Sequence, residues 1–411
     1  MPFSERPGGV PSEARRARAA VSAVFLTNGA LLANLVPRYP EIKAALDLSD
    51  AAYGAALTSP PIGALVAGLL AATFIGRFGS GRVATIGIVA LAAMTLGVSL
   101  SPTVLVLVVF LLGAGAVDAL VDVSQNAHAL RVQRIYRRSI VNSFHGVWSI
   151  GAVLGGLMGS AAAGLAVPLP VHIAVSAAVF SAVALVSLRY MLSGPEDAER
   201  TAPAAASDPN ASAAPPPRRF PVRRATAAML AMLGAIAVCG AFVEDVGSSW
   251  AALYLGRDLG ADSATAGLGF VALNVAMTLG RLTGDRFVDR FGQAAVARAG
   301  GLLIAVGMGT ALSIPNVPLT ILGMAAAGLG TATLIPAALH AGDEIEGLRP
   351  GVGLTVINWI MRAGFLASPA IVGALAEATT LRVGLLLVVA GGLATVVLSR
   401  ALGGRRPPAR L

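Results

Sequence analysis

Charge is scarce in this chain. Lys, Arg, Asp and Glu together make up 12% of its 411 residues, where a soluble chain carries about 25%. Cysteine is scarcer still: Cys239 stands alone in an apolar run, which excludes an intrachain disulfide framework and leaves it the role of a small buried residue. There are four histidines and no Cys or His cluster at zinc spacing. A phosphate-binding glycine loop and a nucleophile elbow are both missing. An enzyme is therefore not expected, and neither is a cofactor or a metal. What the chain has instead is apolar surface: 56% hydrophobic residues, 48 glycines and a mean hydropathy of +0.77. Most of it must lie in lipid, where small residues let helices pack closely.

The net charge of +9 would suit nucleic acid, but the positions of the basic residues exclude that reading. Twenty-five of the 30 fall in alternate connections or tails, including Arg77, Arg82, Arg131, Arg134, Arg281 and Arg298. The opposite set of connections holds Arg38, Lys43, Arg257 and Arg382, and Arg362 falls inside a helix. That asymmetry is the positive-inside pattern. It predicts a multi-pass protein of the plasma (cell inner) membrane with both termini cytoplasmic. The apolar run after the basic start is too long for a signal peptide and reads as an uncleaved first helix.

A span needs about 20 apolar residues, and twelve can be placed: roughly 18–38, 51–75, 82–101, 103–130, 138–166, 168–192, 222–254, 262–287, 294–314, 317–342, 350–376 and 380–402. Pro60 and Pro61 should kink the second. The stretch 193–221, rich in Ala, Pro and Ser, cannot bury a core and reads as a flexible cytoplasmic linker. The chain thus divides into a basic tail (1–17), a six-helix bundle (18–192), the linker, a second bundle (222–403) and a tail (404–411). The bundles echo each other. Gly76-Arg77-Phe78-Gly79 recurs as Asp289-Arg290-Phe291-Gly292 at an offset of 213, and Gly151 matches Gly364 at the same offset. Gly113-Ala114-Gly115-Ala116 matches Gly328-Leu329-Gly330-Thr331 at an offset of 215. Such internal symmetry is typical of transporters.

Twelve helices, a central linker, two six-helix halves and the expected loop GRLTGDRFVDRFG from Gly280 together resemble the major facilitator superfamily, whose members are built from nested repeats of this kind. The resemblance implies an all-α integral membrane fold of two pseudo-symmetric six-helix bundles, working by alternating access and usually as a monomer. It also implies a gating role for Asp285, Asp289 and Arg290; the N-terminal copy departs from the pattern, with Gly76 where an Asp belongs. DVSQN from Asp122, NSFHGVWSIGA from Asn142 and EDVGSSW from Glu244 are similar to the branch of fucose-type sugar–proton symporters and uncharacterised relatives. In those symporters an acid at the position of Asp122 takes part in proton coupling.

The residues themselves point the same way. Asp118 and Asp122 sit in the fourth apolar run, and a carboxylate at bilayer depth costs about 2.5–3.5 kcal/mol on insertion scales, so it generally faces a wet path or a partner. Four-residue spacing places both on one face, where they should titrate as a coupled unit; a structural hydrogen-bonded pair is the alternative. His145 on the next helix lies at similar depth, and either contacts Asp122 as a proton relay or satisfies a backbone carbonyl. Arg362 needs an anion, which could be Asp118, Asp122, Glu244, Asp245 or the solute itself. Glu244 and Asp245 should lie toward the outer end of the seventh helix, as an outer gate or a solute contact. Asn28, Gln125, Asn126, Asn142, Asn274 and Asn358 could ring a polar cavity or serve as interhelical glue, as could Asn34. Trp148 and Trp359 could stack on a ring; Trp250 reads as an interface anchor, and His172 and His340 as interfacial. Energy would come from an ion gradient or the solute's own. Three readings remain open: a proton-coupled carrier of a small polar solute such as a sugar, a proton-driven exporter of amphiphilic compounds, and a non-transporting sensor or scaffold of the same fold. Aromatics at 5% lean toward the first.

Overall fold

The computed structural model describes residues 11–136, 140–196, 224–345, 348 and 352–403. The tail 404–411, most of the expected linker and the first ten residues lie outside that set. Among the described residues twelve spans are present: α1 (Ser12–Ala45), α2 (Asp50–Gly68 and Ala71–Phe78), α3 (Ser80–Ser99) and α4 (Val104–Tyr136), then α5 (Val141–Gly164) and α6 (Leu169–Leu188). The second half holds α7 (Arg224–Ser249), α8 (Ser263–Phe291), α9 (Gln293–Ser313), α10 (Val317–Asp343), α11 (Val352–Ala378) and α12 (Leu381–Leu402). Outward faces are apolar, as with Leu105, Val306 and Leu322, because lipid replaces water there.

Packing repeats between the halves. Helices α1 and α5 pair as α7 and α11 do, α2 and α4 as α8 and α10, and α3 and α6 as α9 and α12. The halves meet through α5 against α8 and through α11 against α2, the same pairing exchanged by the pseudo-twofold. Local details repeat too. Ser49 and Asp262, again 213 apart, cap α2 and α8 by accepting from Ala52 N in the first case and from Ala264 N and Thr265 N in the second. Gly79 and Gly292 end those helices at φ +86° and +82°, a region that favours glycine. Arg77 lies 5.5 Å over the Phe78 ring and Arg290 5.4 Å over Phe291. The N-terminal copy keeps its shape although Gly76 replaces the acid.

Two expectations change. Pro60 and Pro61 sit in the first turn of a helix that restarts at Ser59, where proline has no donor to lose. The 55° bend of α2 falls later, at Leu69–Leu70. The GRLTGDRFVDRFG motif is not a loop: α8 stays helical to Phe291 and only Gly292 turns. The beginning of the expected linker is also held. Arg131 donates to Ser193 O (2.9 Å) and pairs with Glu196 (3.3 Å), whose carboxylate accepts from Ser80 N at the start of α3 (2.7 Å).

Helices α1 and α5 approach most closely along Gly151, Gly155 and Gly159. A Cβ on Gly155 would lie 2.3 Å from Ala30 O, and on Gly151 2.2 Å from Leu26 O. Backbone stands on the other side, so nothing small can yield. Gly155→Ala is therefore expected to destabilise the protein by about 1–3 kcal/mol through overpacking, read as a lower thermal unfolding midpoint in detergent. Gly68→Ala, whose Cβ would meet nothing within 4 Å, should leave the midpoint unchanged.

Candidate functional site

Between the halves lies a cavity of about 910 Å³, walled by Asp122, His145 and Trp148 from α4 and α5 and by Arg281, Asp285 and Asp289 from α8. Because α8 remains helical, these last three stand at four-residue intervals on one face. His340, near the end of α10, also lines the cavity; it is exposed there and lies 3.5 Å from Glu344. The cavity lies toward the end of the bundle that carries Arg290, here called the basic end. Asp285 and Asp289 make no side-chain ion pair among the described residues, and the cavity stands between them and Asp122, His145 and Trp148.

The polar residues of the first half form one connected network. Asn28 of α1 donates to Asp118 Oδ1 (2.7 Å), and its own Oδ1 accepts from Trp148 Nε1 (2.9 Å) and Gln125 Nε2 (3.3 Å). Gln125 Nε2 also reaches Asp122 Oδ1 (3.5 Å), and Asn126 donates to that same oxygen (3.0 Å) and accepts from His145 Nε2 (3.0 Å). Asp122 and His145 are thus joined through Asn126 rather than directly, because Asn126 lies one turn beyond Asp122 on the same helix and fills the gap. Asn28 and Gln125 are almost wholly buried, whereas Asp122 and His145 are exposed to the cavity. One oxygen of Gln125, Oε1, is buried with no partner.

Other expected residues fall elsewhere. Arg362 is exposed on α11, makes no ion pair among the described residues and does not line the cavity; no bridge to Asp118 forms. Asn274 donates to Phe270 O of its own helix (3.0 Å). Asn358 and Trp359 are half-buried and exposed respectively, off the cavity wall. Asn142 lies in α5, but its side chain is outside the described set. Asn34 donates to Ser176 Oγ (2.7 Å) as interhelical glue. His128, which sequence reasoning passed over, is buried; its Nε2 accepts from Leu192 N (3.0 Å), so the Nδ1 proton faces Ser80 Oγ (2.8 Å).

The far end is closed, and by residues that sequence reasoning had not chosen. Helix continues past α7 through Ala251–Leu253 and a π-helical turn, Tyr254–Asp258. Glu244 therefore lies deeper than the outer end and pairs with Arg281 (3.3 Å). Asp245 accepts from Ser249 Oγ (3.1 Å) and has its second oxygen buried without a partner. The π turn instead presents Arg257, which donates to both oxygens of Asp50 on α2 (2.7 and 2.9 Å), with Lys43 at 3.2 Å. Glu377 of α11 accepts from Asp50 N (2.8 Å), capping α2 from the other half. Beneath this clasp Tyr53 donates to Ser249 O (2.6 Å) and meets Trp250 edge-on at 5.0 Å. Trp250 is fully buried between the halves, not an interface anchor, and His172 is buried against Arg38 (3.2 Å). Gly54 and Gly373 allow the approach: a Cβ on Gly54 would lie 2.3 Å from Pro369 O. Opposite charges in two connections of the same end were the available signal; nothing in the sequence shows that they meet.

The family model described as Major Facilitator Superfamily matches residues 21–244 and 232–411. The chain is 27% identical over 367 residues to an uncharacterised transporter, y4wD, of Sinorhizobium fredii, covering 88% of this chain and 92% of that protein. Among solved structures, it is similar to a bacterial homologue of the human lysosomal transporter Spinster in an inward-facing, unoccupied conformation (TM-score 0.72, 16% identity, covering 98% of this chain and 100% of that one). It is also similar to a D-xylose–proton symporter (TM-score 0.66, 16% identity, covering 97% and 98%).

Arg257→Gln removes the cation of the far-end clasp. Charge-assisted hydrogen bonds are worth about 1.5–3 kcal/mol, so the balance between closed and parted far ends should move by about ten- to a hundredfold. Spin labels at Asp47 and Ala261, in a Cys239→Ser background, should report a second, longer distance in the variant. An unchanged distribution would mean that the clasp contributes nothing.

Proposed function

The chain belongs to the major facilitator superfamily of transporters, and from that premise we propose that it moves a small polar solute, such as a sugar, together with protons by alternating access. The observation that carries this reading is the network that runs from Asp118 through Asn28 and Gln125 to Asp122, Asn126 and His145, and that presents Asp122, His145 and Trp148 at the wall of the cavity between the halves. By the positive-inside pattern the basic end is cytoplasmic, in the plasma (cell inner) membrane. The cavity then opens inward and the clasp of Asp50, Arg257 and Glu377 seals the outside. The linker, 193–221, joins the bundles (18–192 and 222–403) on the cytoplasmic side, and the chain acts as a monomer surrounded by lipid.

In this cycle Asp122 exchanges its proton with water in the open cavity. Asn126 and His145 tie that event to the surface the solute touches, and Trp148 offers a face to a ring. Gln125 keeps a buried oxygen unpartnered, which a donor group or a water could satisfy. Closing the basic end brings the Arg281, Asp285 and Asp289 face of α8 toward α4 and α5, so that Arg281 trades Glu244 for Asp122. The likeness to a sugar–proton symporter supports this reading through fold alone. The cavity wall sets Asp122, Asp285, Asp289 and Arg281 beside Leu282, Val288 and Ala337; the charged groups favour a polar solute, and the apolar ones support a proton-driven exporter of amphiphiles as the second reading. The parted basic end and clasped far end suit a working carrier better than a fixed scaffold.

Proteoliposomes loaded with a pH-sensitive dye and screened with sugars should acidify or alkalise only in the presence of a transported solute. Asp122→Asn should lose solute-driven proton movement while retaining solute exchange between equal pools. Wild-type flux with unchanged pH dependence in that variant would refute the coupling role.

A further inference from the structure

Asp118 and Asp122 do not share a compartment. Asp122 faces the large cavity, whereas Asp118 lines a separate one of about 250 Å³ between α1, α2, α3 and α4, with Tyr39, Pro60, Pro61 and Thr95. No residue lines both. Asn28 lines neither; it is the partition, 4% exposed, with its N–H on Asp118 and its oxygen on Trp148.

We propose that Asn28 is a positioning residue that converts the protonation of Asp118 into a change in the pose of Trp148. Rotating the Asn28 amide would turn its NH₂ toward the N–H groups of Trp148 and Gln125, donor against donor, so the indole is held most firmly while Asp118 claims the amide hydrogen. A bond to a carboxylate is about twice as strong as one to a neutral acceptor. Ionised Asp118 therefore fixes the amide and, through it, the indole. A proton on Asp118 weakens that hold and frees Trp148 into the large cavity. Amides do not pass protons along readily, so the link is one of geometry and not a proton wire. The device gives the proton and the solute separate chambers and one shared side chain.

Few other groups could mimic the effect. In the small cavity the only other titratable residue is Tyr39; Asp122 lies one turn away on α4 and reaches Asn28 only through Gln125, whose Nε2 is 3.5 Å from Asp122 Oδ1 and 3.3 Å from Asn28 Oδ1, the route for which Asp122→Asn controls. On the indole side stand Asp122, His145, Arg281, Asp285, Asp289 and His340. The inference rests on the proton-coupled reading above for its purpose, but its test needs no solute.

The full-length protein, labelled with 5-fluorotryptophan, gives three fluorine resonances for Trp148, Trp250 and Trp359, with that of Trp148 assigned by its loss in Trp148→Phe. In solute-free protein the Trp148 resonance should move sigmoidally with pH. That movement should vanish in Asp118→Asn and in Asn28→Leu, and persist with similar amplitude in Asp122→Asn and His145→Gln. A resonance that ignores pH, a titration that survives Asp118→Asn, or one abolished by His145→Gln overturns the proposal. Asp118→Asn is isosteric, so the test stands even if Asn28→Leu does not fold. A protein that shows the titration yet moves no protons with any solute would leave this inference standing and sink the functional reading.

Discussion

Hydrocarbon offers a carboxylate no water to turn to, and the amide of Asn28, 2.7 Å from Asp118, is the protein's answer to that constraint. Much of the first half follows from it. For Asn28 to reach α4 and α5 together, α1 must lie against both. The glycines at 151, 155 and 159 let α5 come close enough that backbone touches backbone. With that spacing set, Trp148 meets the other side of the same amide. Packing and polar chemistry are therefore one problem here: the stripe of missing side chains is what lets a buried acid find its partner.

The two halves share a frame but divide the work. Caps at Ser49 and Asp262, and the left-handed glycines at 79 and 292, show how faithfully the duplicated unit keeps its turns. The amide-rich network belongs to the first half. The second contributes a charged helix face, Arg281 to Asp289, and a π turn that carries Arg257 across to Asp50. A symmetric scaffold with unlike contents lets one end close while the other stands open, since each contact between halves is made by a different set of residues.

Helical spans and the doubled architecture were legible in the sequence, because lipid imposes a long apolar run on every crossing and duplication leaves a constant offset. Much of the polar network was legible too: Asp118, Asp122, Asn28, Gln125, Asn126, His145 and Trp148 stand out against apolar neighbours, and the structure brings them together. What could not be read was partnership. Spacing put Asp118 and Asp122 on one face, about 40° apart around the axis and one turn apart along it, yet Asp118 lines the small cavity beside α1 and α2 and Asp122 the large one between the halves. Glu244 was misplaced in depth because a π turn carries the helix past the expected end at 254, to Asp258, and no pattern of residue types announces one. Arg362, conspicuous in sequence, has no anion in this state among the described residues. The clasp of Asp50, Arg257 and Glu377 was invisible because Asp50 meets partners 207 and 327 positions away along the chain.

At the clasped end a carboxylate of one bundle completes the first turn of a helix in the other, at Asp50 N and Ala51 N. When the bundles separate, those two peptide groups are bared to the surrounding aqueous phase, which can solvate them at once. Little enthalpy need be lost at those two bonds on parting, so that part of the seal resembles a wet hinge more than a glued joint. Ions dissolved on that face, screening within about 8–10 Å at ordinary strength, would then tune how long the protein lingers shut.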